Sequence, residues 1–264
     1  MSEEFNLISR TIEEQHKGSS ALTRRRLVAG AAATVGGLGL FGPSFAQARP
    51  LKGKNDPQTI LNIAATAEVL ATIVNTVGAE RVNLGDEVTK RNVKAAAREE
   101  LIHYDKLVEF GGKPLAKRIW VPNEVFASRT GLLSTLEVGD QIFVNAYLVA
   151  TKVFGDAGNG DLAIIAAEFM GVEAVHRALA RQSLGKLGND RVFMKFDQRE
   201  DARDAPNKGV FGFEDITVAA AQLQAAGFGF GAKGSKPGNF YEFDQVRKRT
   251  PNDPDLNTFF PDPD

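Results

Sequence analysis

The sequence predicts an all-α fold: a four-helix bundle of two antiparallel hairpins joined by a long crossover, followed by an irregular C-terminal extension. Three observations predict it. Four helix-length runs of about 20–25 residues each end at glycine, which makes rods of about 30–37 Å at 1.5 Å per residue, the first of them apolar and alanine-rich. Short breaks separate the first run from the second and the third from the fourth, whereas about 20 residues separate the second from the third. The second and fourth runs carry the same Glu-x-x-His motif.

Residues 1–48 read as an export signal that precedes the fold. Thr23-Arg24-Arg25-Arg26-Leu27-Val28 has a twin-arginine pattern, and a mildly apolar stretch runs from Leu27 to Phe41. That stretch is shorter than the roughly 20 residues a bilayer span needs. Ala46-Gln47-Ala48 supplies a small-x-small cleavage site, so no stable membrane span is expected after cleavage. The expected location is the periplasm or another extracytoplasmic space. Residues 49–55 form a linker.

The bundle is expected over 56–185. Asp56-Pro57 opens the first helix, since Asp caps and Pro suits the first helical position; the run Gln58 to Val77 stops at Gly78. The second helix runs from about Glu87 to Phe110 and ends at Gly111-Gly112. The third runs from near Leu132 to Phe154 and ends at Gly155; the fourth runs from about Asp161 to Leu184 and ends at Gly185. The loop around Val82–Asp86 and the Gly155–Gly160 reversal make two antiparallel pairs. Gly111 to Thr130, extended, could reach about 66 Å, enough to cross the bundle from end to end.

The chain has 264 residues, a formal net charge of −1, 43% hydrophobic residues, no cysteine and three histidines. Near-neutral charge argues against a nucleic-acid partner. Zero cysteine excludes disulfides, thiolate metal sites and cysteine nucleophiles. With the signal removed, the remaining histidines are His103 and His176, and both sit in the paired motif: Glu100-Leu101-Ile102-His103 and Glu173-Ala174-Val175-His176. A spacing of three puts Glu and His on one helix face, one turn apart, where both can bind one metal ion.

The other two helices supply further acids. Glu68 stands alone among Ala, Val and Leu, a costly place for an unpartnered carboxylate. Glu68 and Glu100 are equidistant from Leu84 in the loop, so they lie at one depth. On the third helix Asp140 and Glu137 compete. With a turn centred near residue 157, the position opposite Glu173 is near 141, which favours Asp140. Glu137 lies about one turn out, and Ser134-Thr135-Leu136-Glu137 also reads as a capping box. Glu reaches further than Asp, so Glu137 stays open. Tyr104 and Tyr147 read first as core aromatics, with a bond to a ligand as the alternative.

A Glu on each of two helices and Glu-x-x-His on the other two is similar to the ferritin-like dimetal-carboxylate proteins, among them bacterioferritin, rubrerythrin and manganese catalase. Leu61-Asn62-Ile63-Ala64, Glu99-Glu100-Leu101-Ile102-His103, Phe143-Val144-Asn145-Ala146-Tyr147-Leu148 and Gly171-Val172-Glu173-Ala174-Val175-His176 resemble the ferritin-like-domain family that includes desiccation-related proteins. The resemblance implies two iron or two manganese ions. Glu68 and a third-helix acid would be terminal ligands, Glu100 and Glu173 would bridge, and His103 and His176 would bind one ion each. An Asp in place of Glu shortens the third-helix ligand. Two divalent ions would offset four carboxylates that otherwise repel one another.

Residues 186–264 hold ten of the eighteen phenylalanines, which argues for an ordered wrap against the bundle with one short helix near Asp215–Ala226. Gly229 to Gly234 matches G-x-G-x-x-G in letters, but no strand before it and no helix after it support a nucleotide site. The expected function is redox chemistry of the metals with dioxygen or peroxide, ferroxidase-like or catalase-like. The alternatives are a non-enzymatic envelope protein, stress- or desiccation-related or structural, and a metal reservoir. A homo-oligomer is left open.

Overall fold

A computed structural model describes residues 55–189, 194–195, 210–256 and 258; residues 1–48, expected to be an export signal and holding His16, and most of the expected linker lie outside them. The described chain is mostly helical with a small antiparallel sheet, so the all-α expectation is corrected by that sheet. Four long helices are present: α1 (Pro57–Arg81), α2 (Glu87–Glu109), α3 (Arg129–Asp156) and α4 (Gly160–Ser183). α1 packs along α2 and α3 along α4, and the two hairpins meet through α1 against α3 and α2 against α4.

Helix starts follow side-chain capping. Asp56 accepts from the backbone N–H of Gln58 and Thr59, Asp86 from Thr89, and Asn159 from Leu162. α2 and α4 stop at Gly111 and Gly185, both at positive φ, as expected. Two glycines behave otherwise. Gly78 does not end α1; the helix runs on to Arg81. A Cβ at position 78 would lie 2.6 and 2.7 Å from the Leu132 methyls, so this glycine lets α3 approach α1 closely. Gly155 lies inside α3, and Gly158, with φ of 74°, makes the reversal instead.

α3 also starts earlier than expected. Ser128 caps it, accepting from Gly131 N–H at 3.0 Å. Ser134 to Glu137 therefore lie within the helix, and the capping box does not form. α1 is apolar enough to pass for a membrane span, yet 89% of its most apolar stretch is buried within the protein. It is the central helix, touching α2, α3 and the C-terminal elements, which explains apolar residues on every face.

The crossover holds structure of its own: strand β1 (Arg118–Pro122) and a 3-10 turn (Asn123–Phe126). β2 (Met194–Lys195) and β3 (Val210–Phe211) form a separate two-stranded parallel pair. The extension adds α5 (Ile216–Ala225), β4 (Gly229–Phe230), β5 (Gly238–Glu242) and α6 (Phe243–Arg247). β1 is the middle strand, pairing antiparallel with β4 (Ile119 opposite Phe230) and with β5 (Trp120 opposite Phe240). The extension is thus pinned to the crossover by backbone ladders as well as by packing. α5 falls where a short helix was expected and covers α1 and α3. After Gly234 comes β5 and no helix, in keeping with the rejection of a nucleotide loop. Phe243 is fully buried and stacks near Tyr104, with ring centroids 4.5 Å apart.

Candidate metal centre

Six of the seven candidate residues converge in the interior between the two hairpins. Glu68 comes from α1, Glu100 and His103 from α2, Asp140 from α3, and Glu173 and His176 from α4. Their ligand atoms form two groups, each with all atoms within 4.8 Å: Glu68, Glu100, His103 and Glu173; and Glu100, Asp140, Glu173 and His176. Glu100 and Glu173 belong to both. Their oxygens divide between the histidines. His103 Nδ1 lies 3.4 Å from Glu100 Oε2 and 3.3 Å from Glu173 Oε1, while His176 Nδ1 lies 3.2 Å from Glu100 Oε1 and 3.6 Å from Glu173 Oε2. Glu68 Oε2 is 3.7 Å from His103 Nδ1.

The site is closed to solvent. Glu68, Glu100 and Glu173 have no exposed surface. Among the described residues, both oxygens of Glu100 and of Glu173, Glu68 Oε2, Asp140 Oδ2 and both histidine Nδ1 atoms lack a hydrogen-bond partner. An unpaired buried polar group costs about 1–3 kcal/mol, and more when charged. Eight such atoms aimed at one space need protons or cations to offset them. Carboxylate and imidazole donors at these spacings can hold a metal ion, so the residues present fit one.

The titration behaviour follows from burial and crowding. Burial and the neighbouring Glu100 push Glu68 up to about 8, although His103 pulls the other way. Burial and Glu173 raise Asp140 well above the usual carboxylate range. Burial works against the charged form of both histidines, yet the surrounding carboxylates win and hold both well above ordinary imidazole. These shifts all favour the protonated forms of Glu68, Asp140 and both histidines.

Outer contacts orient the ligands. His176 Nε2 is 2.6 Å from Glu99 Oε2. Burial alone would raise Glu99, but His176 brings it below its ordinary value. That bond keeps the proton on Nε2 and turns Nδ1 toward the cluster. The Tyr147 hydroxyl donates to Glu68 Oε1, so the ligand-bond alternative for this residue holds. The His103 ring stacks on Phe169 at 4.0 Å between centroids.

Glu137 is not brought to the cluster. It is buried and ion-paired with Arg181, and with Lys186 Nζ at 2.7 Å. The reason is antiparallel register. One turn earlier on α3 faces one turn later on α4, where Arg181 stands in place of His176. Sequence reasoning assigned no role to Glu99 or Phe169. Tyr147 carried a signal: it follows Asp140 by seven residues, two turns along one face. Glu99 carried none, because its partner lies on another helix. Comparison with protein-family models, curated proteins and solved structures finds no match to this chain.

Proposed function

We propose that this chain is a ferritin-like four-helix protein that holds two divalent iron or manganese ions. Glu68 and His103 would hold one ion, Asp140 and His176 the other, and Glu100 and Glu173 would bridge them. The observation that supports this most is the division of the Glu100 and Glu173 oxygens, one toward each histidine. Four carboxylates and two imidazoles without thiolate suit iron or manganese better than a closed structural zinc site. When bound, such a pair supplies electron exchange with dioxygen or peroxide, the basis of a ferroxidase-like or catalase-like activity.

The chain's own residues bind and orient. Glu99 holds the His176 Nε2 proton, and Tyr147 holds one oxygen of Glu68 so that its other oxygen faces the cluster. Phe169 stacks on the His103 ring and covers that side of the cluster. The twin-arginine signal fits export of a chain folded around its metals. The full burial of Glu68, Glu100 and Glu173 favours a second reading, a site that only stabilises the fold of an envelope protein.

Metal analysis of protein purified after native export tests the first reading. About two iron or manganese per chain are expected, lost in Glu100→Ala and Glu173→Ala. No metal under replete conditions overturns it. Oxygen or peroxide consumption by the loaded protein then separates an enzyme from a structural site or a reservoir.

A further inference from the structure

A closed site poses a transport problem, since a hydrated cation must get in and displaced protons must get out. Two cavities touch the cluster. One, of about 30 Å³, lies between α1, α3 and α5 beside Glu68 and Tyr147, and its other walls include Phe143, Ala146, Leu223 and Phe230. It offers water almost nothing to bind. The other, of about 20 Å³, lies toward the end of the hairpins at the α2 N-terminus and the α4 C-terminus. Asp140 and His176 form its inner end, Asn75, Thr89, Asn92 and Ser183 contribute polar groups, and leucines of α3 and α4 make much of the remaining wall apolar.

Its polar atoms are unusual. Asn75 is 1% exposed, and its Oδ1 has no hydrogen-bond partner among the described residues. Thr72, one turn nearer the cluster on α1 and outside the lining of this cavity, is 0% exposed, and its hydroxyl is likewise unpartnered. Glu68, Thr72 and Asn75 are spaced four and three apart, so they make one stripe along the interior face of α1, rising about 10 Å. Thr89 and Ser183 hydroxyls meet at 3.0 Å farther out, and Thr89 also bonds Asp86, the half-exposed cap of α2. Ala96 and Ala180 leave room between the helices. Orphaned oxygens in a fully buried stripe are costly in a dry interior and need water. A volume of this size holds about one water molecule.

Resting on the metal-site reading above, we infer that Asn75, with Thr89 and Ser183, marks the route by which a divalent cation reaches Asp140 and His176, exchanging hydration waters for these side-chain oxygens as the helices open around it. Neutral oxygen donors strip part of a hydration shell without trapping the ion. The cavity beneath α5 serves no ion.

The test is stopped-flow loading of the metal-free full chain with cobalt(II) alone, read by the visible absorption of the bound ion. Wild type is expected to reach two ions per chain, the number the site reading requires. Asn75→Leu and the near-isosteric Thr89→Val should reach the same endpoint about tenfold or more slowly. Asn75→Asp should load at least as fast as wild type, and Ala220→Leu, in the other cavity, should load at the wild-type rate. If Asn75→Leu fails to fold, Thr89→Val carries the comparison. Full endpoints at wild-type rates in both variants overturn the passage and leave the metal site standing. A reduced endpoint in Asn75→Leu also overturns it, since Asn75 would then hold the ion instead of passing it. No cobalt bound by wild type overturns the site reading and the passage together.

Discussion

On the proposed reading, loading this site at pH 7 exchanges protons for metal, and the number of protons follows from the groups that hold them. Glu68, pushed up to about 8, is about nine-tenths protonated at pH 7. Asp140 is raised well above the carboxylate range by burial and Glu173. His103 and His176 stay protonated because their carboxylate neighbours outweigh burial. All four must give up a proton to act as ligands. Two divalent ions should therefore release about three protons per chain from Glu68, His103 and His176, and up to a fourth from Asp140. Taking the proton from Glu68 alone costs about 1.4 kcal/mol at pH 7, so apparent affinity should climb steeply with pH. Isothermal titration in two buffers of different ionisation enthalpy counts the protons directly. Glu68→Gln should lower the count by about one. Release of fewer than about two protons by the wild type would refute the idea that protons hold the empty cluster.

Three further outcomes are expected. The metal-free chain should lose stability as pH rises from 6 to 8: Glu68 keeps a proton in the folded state between 4.5 and about 8 that the unfolded chain has lost, and the raised histidines act in the same direction. The slope is about 1.4 kcal/mol per pH unit per group, so a melting temperature that rises over this range contradicts it. Asp140→Asn should reduce bound metal, whereas Glu137→Gln should keep two ions per chain and lower stability by about 2–3 kcal/mol through its weakened bonds to Arg181 and Lys186; metal analysis and urea melts separate the two. Gly78→Ala should gain about 1 kcal/mol of helix propensity and lose about 1–3 kcal/mol by pressing on the buried Leu132. Net destabilisation in urea, relieved by Leu132→Val, is the expected result.

Local chemistry explains what was legible in advance. Asp56-Pro57, Gly111 and Gly185 act through their own backbone and nearest neighbours, so their places in the helices follow from residue type. Gly78 and Gly155 share that residue type but sit inside helices. At Gly78 the deciding fact is the Leu132 side chain of another helix. The start of α3 lies three residues before the expected Leu132, because the Ser128 side chain caps the backbone there. Strand β1 escaped notice for a related reason, since a five-residue strand is stable only against β4 and β5, more than 100 residues away.

By itself the sequence determined the candidate residues and their approximate depth, with Asp140 and Glu137 still competing on the third helix. The i, i+3 spacing puts Glu100 with His103 and Glu173 with His176, and hairpin arithmetic puts Glu68 and Asp140 level with them. These are consequences of helix pitch and short loops, both local. Only the tertiary structure decided which carboxylate of α3 faces the cluster, that Glu99 and Tyr147 orient its ligands, and that its two flanks differ in polarity. Those features depend on the rotation and register of one helix against another. Helix rotation is set by side-chain packing over the whole interior, which no local spacing encodes.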